Sequence, residues 1–416
     1  MTASAPAAAS RYPQGAAALA PIITGALILQ VAGTAIHTYV PLYMALADRA
    51  PFMIGLVGAG YSAGFLVGCF TIPVLIRRVG HIRAFAVFAA VQAAVTLCLA
   101  LTPVDLWTVL RFVVGAASAG HFVCIESWIS GQAEPARRGR IFGLYQMLNR
   151  LALILSQVAV GYLALRMESM FMLASIAFSL ALVPVALTKA RSPDTPPLVS
   201  VNLRALWRDA PTAVGGCLYV GLVGGALSYV APAYGIMIGL DREGAILLTV
   251  ASQVGALVMQ WPMGLFADRI DTRNVMLASV GLALAASAAT LWAVHHDVPH
   301  LLWVMTGLFT LVGAGSMPIY AISVTHAYRH IEQDQAVSLS AALLFLWAAG
   351  ASAGPLLASA LMQIVGPHGL LGYIVGLSAL MLVFLGYRIA RKTSPGRPAA
   401  EGGIGAGAVP DVGPRH

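Results

Sequence analysis

The chain has 416 residues, of which 59% are hydrophobic and 10% are charged, and its mean hydropathy is +0.83. A soluble chain carries about 25% charged residues, and a disordered chain has few large apolar ones, so both classes are excluded. The formal net charge of +8 does not indicate nucleic-acid binding, because the basic residues lie in short runs between apolar segments, as they do in cytoplasmic loops. The composition therefore predicts a multi-pass protein of the lipid bilayer with no nucleic-acid partner.

Twelve apolar runs, separated by charged residues or by Gly and Pro, follow one another along the chain. Each is close to the roughly 20 residues that a helix needs to cross a bilayer, and far longer than a barrel strand. The sequence therefore predicts an all-α membrane protein with twelve transmembrane helices in two six-helix bundles around a central cavity. The predicted spans are 20–46, 52–76, 82–102, 106–130, 141–164, 169–188, 211–236, 243–266, 274–294, 299–325, 336–364 and 369–389.

Polar segments divide the chain. Residues 1–19 form a predicted cytoplasmic N-terminal tail, and 20–188 the first bundle. The charged, proline-containing stretch 189–210 is predicted to be a cytoplasmic linker to the second bundle, 211–390. Residues 391–416 are rich in Gly, Pro and Ala and are predicted to be a disordered cytoplasmic tail.

The basic residues predict the orientation. With both termini inside the cell, 19 of the 24 Lys and Arg residues fall on the cytoplasmic side, and two (Arg111 and Arg150) lie within spans. Arg49, Arg166 and Arg242 are left outside. An excess of Lys and Arg in cytoplasmic loops is the rule for helical membrane proteins, so we expect both termini to be cytoplasmic.

No cofactor, metal or enzymatic motif is evident. The four cysteines lie in apolar stretches without metal-ligand spacing, which is typical of buried packing residues. The chain has no Walker A motif, so we do not expect ATP to drive it. A nucleophile–base or metal constellation is missing as well, and we do not expect an enzyme.

The two halves repeat. GCFTIPVLIRRVGHIRAF follows the second span and WPMGLFADRIDTRNVML the eighth, at the same place in each half. Duplicated six-span halves are typical of transporters that rock around a central site. The candidate gating residues in these loops are Arg77, Arg78 and Gly80 in the first half and Gly264, Asp268, Arg269, Asp271 and Arg273 in the second.

The second loop resembles the signature loop G-x-x-x-D-R-x-G-R-R of the major facilitator superfamily, with Asp271 where Gly is usual. The first loop departs from it, because Pro73 replaces the first Gly and Arg77 replaces the acid. The motifs RRVGHIRAF, IESWIS, RRGRIFGLYQ and GPLLASALM are similar to the YcaD-type branch of uncharacterised bacterial inner-membrane permeases. The resemblance implies a transporter of the bacterial inner membrane, with the acid of the signature loop latching the cytoplasmic gate.

Three charged residues lie well inside the predicted spans rather than near their ends: Arg111, Glu126 and Arg150. Charge inside the membrane costs a few kcal/mol, so each is a functional candidate. Arg111 matches the span-4 arginine motif that the resemblance associates with proton coupling, although an arginine reaching to the outer interface would look the same. Glu126 lies about 22 Å from Arg111 along the helix and at a depth similar to Arg150. The Glu126–Arg150 pair is either a coupling site or a structural ion pair.

Further polar residues interrupt the apolar runs and are candidates for the cavity. A single histidine in a membrane helix is more often a packing residue than a proton carrier, so both interpretations remain open for each. These candidates are His37, His121, Asn149, Tyr320 and His326.

The leading hypothesis is a secondary active transporter of a small solute that works by alternating access, with protons as the coupling ion, and that is monomeric. Two in-span arginines against one glutamate favour an anionic solute, provided that both arginines face the cavity. A drug or metabolite efflux antiporter is the first alternative. A sensor or scaffold on the same fold, without transport, is the second.

Overall fold

A computed structural model describes residues 16–132, 138–163, 165–188, 203–296, 298–328 and 336–391. Helices are the only regular secondary structure in these residues. Most of the two predicted tails and most of the predicted linker lie outside them. Residues 16–19 and 391, which were predicted to belong to the tails, are helical, and Leu203–Asp209 at the end of the linker forms a short helix. The all-α class predicted from the sequence is confirmed.

The helices of the first half are α1 (Ala16–Leu46), α2 (Pro51–Val79), α3 (His81–Leu101), α4 (Trp107–Gln132), α5 (Arg138–Tyr162) and α6 (Met167–Ala186). Helix α7 (Leu203–Asp209) precedes the second half. There the helices are α8 (Pro211–Met237), α9 (Arg242–Arg269), α10 (Thr272–His295), α11 (Leu301–Ser316), α12 (Ile319–Tyr328), α13 (Ala336–Val365) and α14 (Gly369–Arg391).

Eleven stretches of the described residues are long and apolar enough to cross a membrane, and α11 and α12 together form one of them. Pro318 explains their separation, because proline lacks an N–H and its ring disrupts the preceding helical turn. Helix α5 is not among these eleven because it is less apolar, since it carries Arg138, Arg140 and Arg150. It is nevertheless long enough to span and packs against α1 and α9, which is consistent with the predicted twelve spans.

Glycines let α2 and α4 cross closely in the first half. A Cβ atom added to Gly64 would overlap the carbonyl oxygen of Phe112, and one added to Gly115 would overlap that of Tyr61. Only glycine allows the two backbones to approach this far, and small residues are the usual means of close helix packing in membranes. This crossing fixes the position of α4 against α2.

The same crossing recurs between α9 and α11. A Cβ atom on Gly255 would overlap the carbonyl oxygen of Thr310, and one on Gly313 that of Ser252. Gly64 and Gly255 are 191 positions apart, which is also the separation of the two duplicated loops. The internal repeat therefore extends from the loop motifs to the packing of the helices.

Among the described residues, the contacts between the bundles lie mainly toward one end, although Phe70 of α2 and Phe345 of α13 also pack together nearer the other. The end of the molecule that contains the turn at 47–50 is called the hairpin side. The opposite end, where α1 begins and α14 ends, is called the tail side. At the hairpin side Gly58 of α2 faces the ring of Tyr229 in α8, and Gly161 of α5 faces Ile246 of α9. Nearer the tail side, α4 and α12 pack against helices of their own bundles. The central space is thus closed toward the hairpin side.

Candidate functional site

Arg111 is buried beside the central space. Its guanidinium lies over the ring of Tyr61, 4.5 Å from the centroid, and its Nη2 lies 3.0 Å from Nδ1 of His37. The residue is only 1% exposed, so it does not reach to an outer interface. The interpretation of Arg111 as an interfacial arginine is wrong, because α1 and α2 cover it with aromatic rings that stabilise its charge.

Tyr229 connects this cluster to the second bundle. Its ring packs edge-on against His37, with the centroids 4.8 Å apart, and it is fully buried. Neither the Tyr229 hydroxyl nor Nε of Arg111 has a hydrogen-bond partner among the described residues. The hairpin side is thus filled by a cluster of four side chains: His37, Tyr61, Arg111 and Tyr229. The ring of Tyr229 is the part that the opposite bundle contributes.

Arg150 also binds the opposite bundle. Its Nη1 donates to Oε1 of Gln253 at 2.8 Å, and Nε2 of Gln253 donates to Oγ of Ser228 at 3.1 Å. Within the described residues, Arg150 forms no ion pair with Glu126. The predicted Glu126–Arg150 pair is therefore not formed in this structure, because the long guanidinium side chain reaches across to α9.

Glu126 lies toward the tail side, on the face of α4 that looks into the central space. The residue is partly exposed, and the ionisable side chains near it are Cys69 of α2, Tyr145 of α5 and Tyr320 of α12. It accepts no hydrogen bond and forms no ion pair with any residue that the structure describes. A carboxylate at this position is able to bind either a proton or a cation.

Asn149 and Tyr320 are two further residues of the predicted set. The Oδ1 atom of Asn149 is buried and has no hydrogen-bond partner in the described part of the chain. Tyr320 belongs to the second bundle, where its ring lies 6.5 Å from that of Trp347. Of these two residues, Tyr320 lies within electrostatic range of Glu126, and Asn149 forms no hydrogen bond with Glu126 in the described part of the chain.

Two predicted residues lie elsewhere. His121 is buried between α3 and α4, where Nε2 lies 3.2 Å from the carbonyl oxygen of Phe85. His326 lies between α12 and α10, with Nδ1 2.6 Å from Oγ1 of Thr272. Both sites are contacts between helices of one bundle, which favours the packing interpretation for these two histidines.

The duplicated loops end their helices differently. Gly80 ends α2 with a φ of 82°, a left-handed conformation that favours glycine. Basic residues occupy the last turns of both helices, where a positive charge interacts favourably with the negative end of the helix dipole. They are Arg77 and Arg78 in α2, and Arg269 in α9. A Cβ on Gly264 would meet nothing within 4 Å, and the side chain of Asp268 lies outside what the structure describes.

Asp271 caps α10. Its Oδ1 accepts from the backbone N–H of Arg273 at 2.9 Å, and its Oδ2 accepts from the guanidinium at 2.8 Å. The hydrogen bond from the Arg273 side chain, with smaller contributions from the backbone bond and the charges of Arg273 and His326, lowers the pKa of Asp271 to about 2. Where the superfamily loop usually has glycine, this chain therefore has an ionised helix cap.

Replacing Asp271 by asparagine is expected to destabilise the protein by up to about 1 kcal/mol near neutral pH, because asparagine keeps the cap but loses the ion pair. The carboxyl pKa is lower in the folded state than in the unfolded state, so its contribution is present above pH ~4 and is lost as the pH falls toward 2. Thermal unfolding of both proteins across this pH range measures it. A stability difference that grows as the pH falls would contradict the assignment.

Some residues of this region were not predicted. Tyr61 and Ser228 were absent from the candidate set. Their roles depend on partners in other helices, and no local pattern marks them. Among the described residues no group of three His, Cys, Asp or Glu side chains is placed to hold a metal ion.

Comparison with known proteins agrees with this geometry. The family model described as Major Facilitator Superfamily matches residues 22–251 and 238–413, nearly the whole chain. The chain belongs to the major facilitator superfamily. It is a multi-pass membrane transporter, as the predicted resemblance implied.

Individual proteins extend the comparison. The uncharacterized MFS-type transporter YcaD of Escherichia fergusonii is 26% identical over 377 residues, which is 90% of this chain and 96% of that protein. Among solved structures, a variant of the nucleoside transporter NupG has a TM-score of 0.74 at 11% identity, covering 89% of this chain and all of that one. A bacterial homolog of the human lysosomal transporter Spinster, in an inward-facing and occupied conformation, has a TM-score of 0.70 at 14% identity, covering 91% and 98%. The resemblance to YcaD-type permeases is confirmed.

Proposed function

We propose that this protein is a monomeric, proton-coupled transporter of a small solute in the bacterial inner membrane, with both termini in the cytoplasm. The observation that carries the proposal is a cross-bundle contact on one side of the central space, together with a carboxylate, Glu126, that has no hydrogen-bond or ion-pair partner among the described residues. Closure of the hairpin side with Glu126 facing the tail side is one of the two states that alternating access requires.

The orientation follows from charge. The tail side carries most of the Lys and Arg residues, so it faces the cytoplasm by the positive-inside rule. The present structure is then inward-facing. Its similarity to the inward-facing Spinster homolog supports this assignment.

Glu126 is the proposed coupling residue. It lies well inside a span, and protonation removes a charge that no described cation compensates. When the bundles rock and the central site is enclosed, an uncharged Glu126 is buried at a lower electrostatic cost than an ionised one. Proton binding at this position therefore makes the conformational change easier.

Replacing Glu126 by glutamine is expected to abolish coupled transport while leaving the fold intact, because the amide fills the same volume but does not exchange a proton. The measurement is proton flux into proteoliposomes that hold a pH dye, challenged with fractionated metabolite pools. We expect flux with one pool in the wild type and only the leak rate of empty liposomes in the variant.

A matched control is Glu168→Gln, the same change at an exposed position in the first turn of α6. This variant should transport at the wild-type rate. Equal pool-dependent flux in the wild type and in Glu126→Gln would remove Glu126 from the coupling step.

A further inference from the structure

The two in-span arginines differ in how far their charge is available to a solute. Arg111 is 1% exposed and is engaged by His37 and Tyr61, so the argument that required both arginines to face the cavity no longer holds. Arg150 is partly exposed and forms no ion pair with any described residue. A guanidinium charge in the middle of a span is too costly to face lipid, so its exposed part faces the aqueous central space. One positive charge there has no counter-charge from the described residues.

The guanidinium of Arg150 keeps one complete edge for a ligand. Its hydrogen bond to a described residue runs from Nη1 to Oε1 of Gln253, at 2.8 Å. Nε and Nη2 form the other edge, and neither donates to a described residue. This same edge binds a carboxylate elsewhere in the protein, because Nε and Nη2 of Arg273 donate to Oδ1 and Oδ2 of Asp271 at 3.2 and 2.8 Å. Two parallel N–H groups match the two oxygens of a carboxylate.

Gln253 has one orientation that satisfies both of its neighbours. A guanidinium has no acceptor, so the amide turns its oxygen toward Arg150 and its NH2 group toward Ser228. Nε2 donates to Oγ of Ser228 at 3.1 Å, and Gln253 is only 3% exposed. Both ends of the amide are therefore used by the protein. The hydroxyl of Ser228 accepts this bond and keeps its own proton for another acceptor.

That hydroxyl proton has no acceptor among the described residues. Other serines in these helices donate to the carbonyl oxygen four residues earlier, as Ser352 does to Ala348 at 2.8 Å. Ser228 is partly exposed, and since it shares one amide group with Arg150, its Oγ lies within about 8 Å of Nη1. One small solute is therefore able to reach both donors.

We propose that the transported solute is a small organic anion, whose carboxylate binds the Nε–Nη2 edge of Arg150 and which also accepts the hydroxyl proton of Ser228. This proposal rests on the proposed transport function and specifies its substrate class. The solute supplies the counter-charge of Arg150, which Glu126 does not, because the two residues form no ion pair. Arg150 belongs to the first bundle and Ser228 to the second, so a solute bound to both couples binding to rocking.

The test is equilibrium binding to the full chain in nanodiscs at pH 7. The probes are 3-phenylpropanoate and succinate, and 2-phenylethylammonium serves as a cation of matched size. We expect the carboxylates to bind in preference to the ammonium ion. Replacing Arg150 by glutamine is expected to weaken carboxylate binding by about tenfold to a hundredfold, as removal of a charge-assisted hydrogen bond does.

A second variant separates binding from folding. Gln253→Glu places a carboxylate of the protein against Arg150, so the positive charge is compensated without a solute. We expect this variant to unfold at a temperature no lower than the wild type does, and to bind the carboxylates about tenfold more weakly. Arg150→Lys keeps the charge but loses the two-pronged edge, and its affinity should lie between those of the wild type and Arg150→Gln.

The second donor and the controls complete the series. Ser228→Ala should weaken carboxylate binding by roughly fivefold, the effect of one lost hydrogen bond. Ser352→Ala, and Arg204→Gln at an exposed position of α7, should bind as the wild type does. Preference for the ammonium ion, equal binding by the wild type and Arg150→Gln, or no binding of either carboxylate would each overturn the proposal.

A further measurement distinguishes this inference from the proposed function. The metabolite pools are divided by ion exchange into cationic, neutral and anionic fractions before the flux assay. Flux with the cationic or the neutral fraction alone overturns the organic-anion site and leaves proton-coupled transport standing. Carboxylate binding that depends on Arg150, without flux for any fraction, supports the site and contradicts the transport function.

Discussion

Replacing Gly313 by alanine is expected to destabilise the protein by about 1–3 kcal/mol or more, the usual cost of overpacking a close contact. The added methyl group would overlap the carbonyl oxygen of Ser252, so α9 and α11 would have to separate. Backbone atoms do not move aside as the end of a flexible side chain does. Thermal unfolding in detergent is expected to show a midpoint several degrees below that of the wild type.

Helix α11 supplies its own control. Gly307 lies in the same helix, but a Cβ atom there would meet nothing within 4 Å. Gly307→Ala should therefore leave the midpoint unchanged or raise it, because alanine is favoured over glycine in a helix by up to about 1 kcal/mol. Equal midpoints for the two variants would show that the α9–α11 crossing is not as close as described.

Replacing Tyr229 by alanine is expected to open the hairpin side. The ring of Tyr229 fills the space against Gly58 and His37 of the first bundle, so its removal takes away a contact that exists only in the closed state. Truncating a large buried aromatic costs about 3–5 kcal/mol, and part of that cost also falls on the open state. We expect the ratio of open to closed molecules to rise by roughly tenfold to a hundredfold.

The measurement is the rate at which a membrane-impermeant thiol reagent modifies a cysteine at position 161. Gly161 is buried against Ile246 when the hairpin side is closed. The four native cysteines, Cys69, Cys98, Cys124 and Cys217, are first replaced by serine or alanine.

Tyr219→Ala is the matched control for this experiment. Tyr219 is also a buried tyrosine of α8, but its hydroxyl lies 2.9 Å from Ser378 of α14 in the same bundle. Its loss should lower the stability without changing the modification rate at position 161. Similar rates for the two tyrosine variants would remove Tyr229 from the closing contact.

Much of the fold follows from the sequence because the bilayer imposes it. An apolar run of about 20 residues has to form a helix in lipid to satisfy its backbone hydrogen bonds. The length of each run therefore predicts a membrane-spanning helix. The repeat was also visible, since the loop pairing gave the same 191-residue separation that relates Gly64 to Gly255. Helix α5 shows the limit of an average hydropathy, because its arginines make it less apolar than the other spans although the apolar run 141–164 predicts it and it packs against α1 and α9.

The site was predictable only in part. An ionisable residue in an apolar run is conspicuous, so Arg111, Glu126 and Arg150 were found, but their partners were not. Arg150 binds Gln253 across the bundles, and this contact depends on how two rigid bodies are placed rather than on any spacing along the chain. Glu126 was suggested as the partner of Arg150 only because the two residues lie at a similar depth in the membrane. Depth does not specify which neighbouring helix a long side chain reaches.

The central claim, movement of two bundles around one site, is tested most directly by a reversible cross-link at the hairpin side. A Cβ atom on Gly161 would lie 3.6 Å from that of Ile246, within the separation that a disulfide requires. In a background without native cysteines, Gly161→Cys combined with Ile246→Cys is oxidised in proteoliposomes, and proton flux driven by the active pool is measured. The account predicts that oxidation stops the flux, that a reductant restores it, and that Gly161→Cys alone is unaffected. Undiminished flux through a fully cross-linked protein would contradict it.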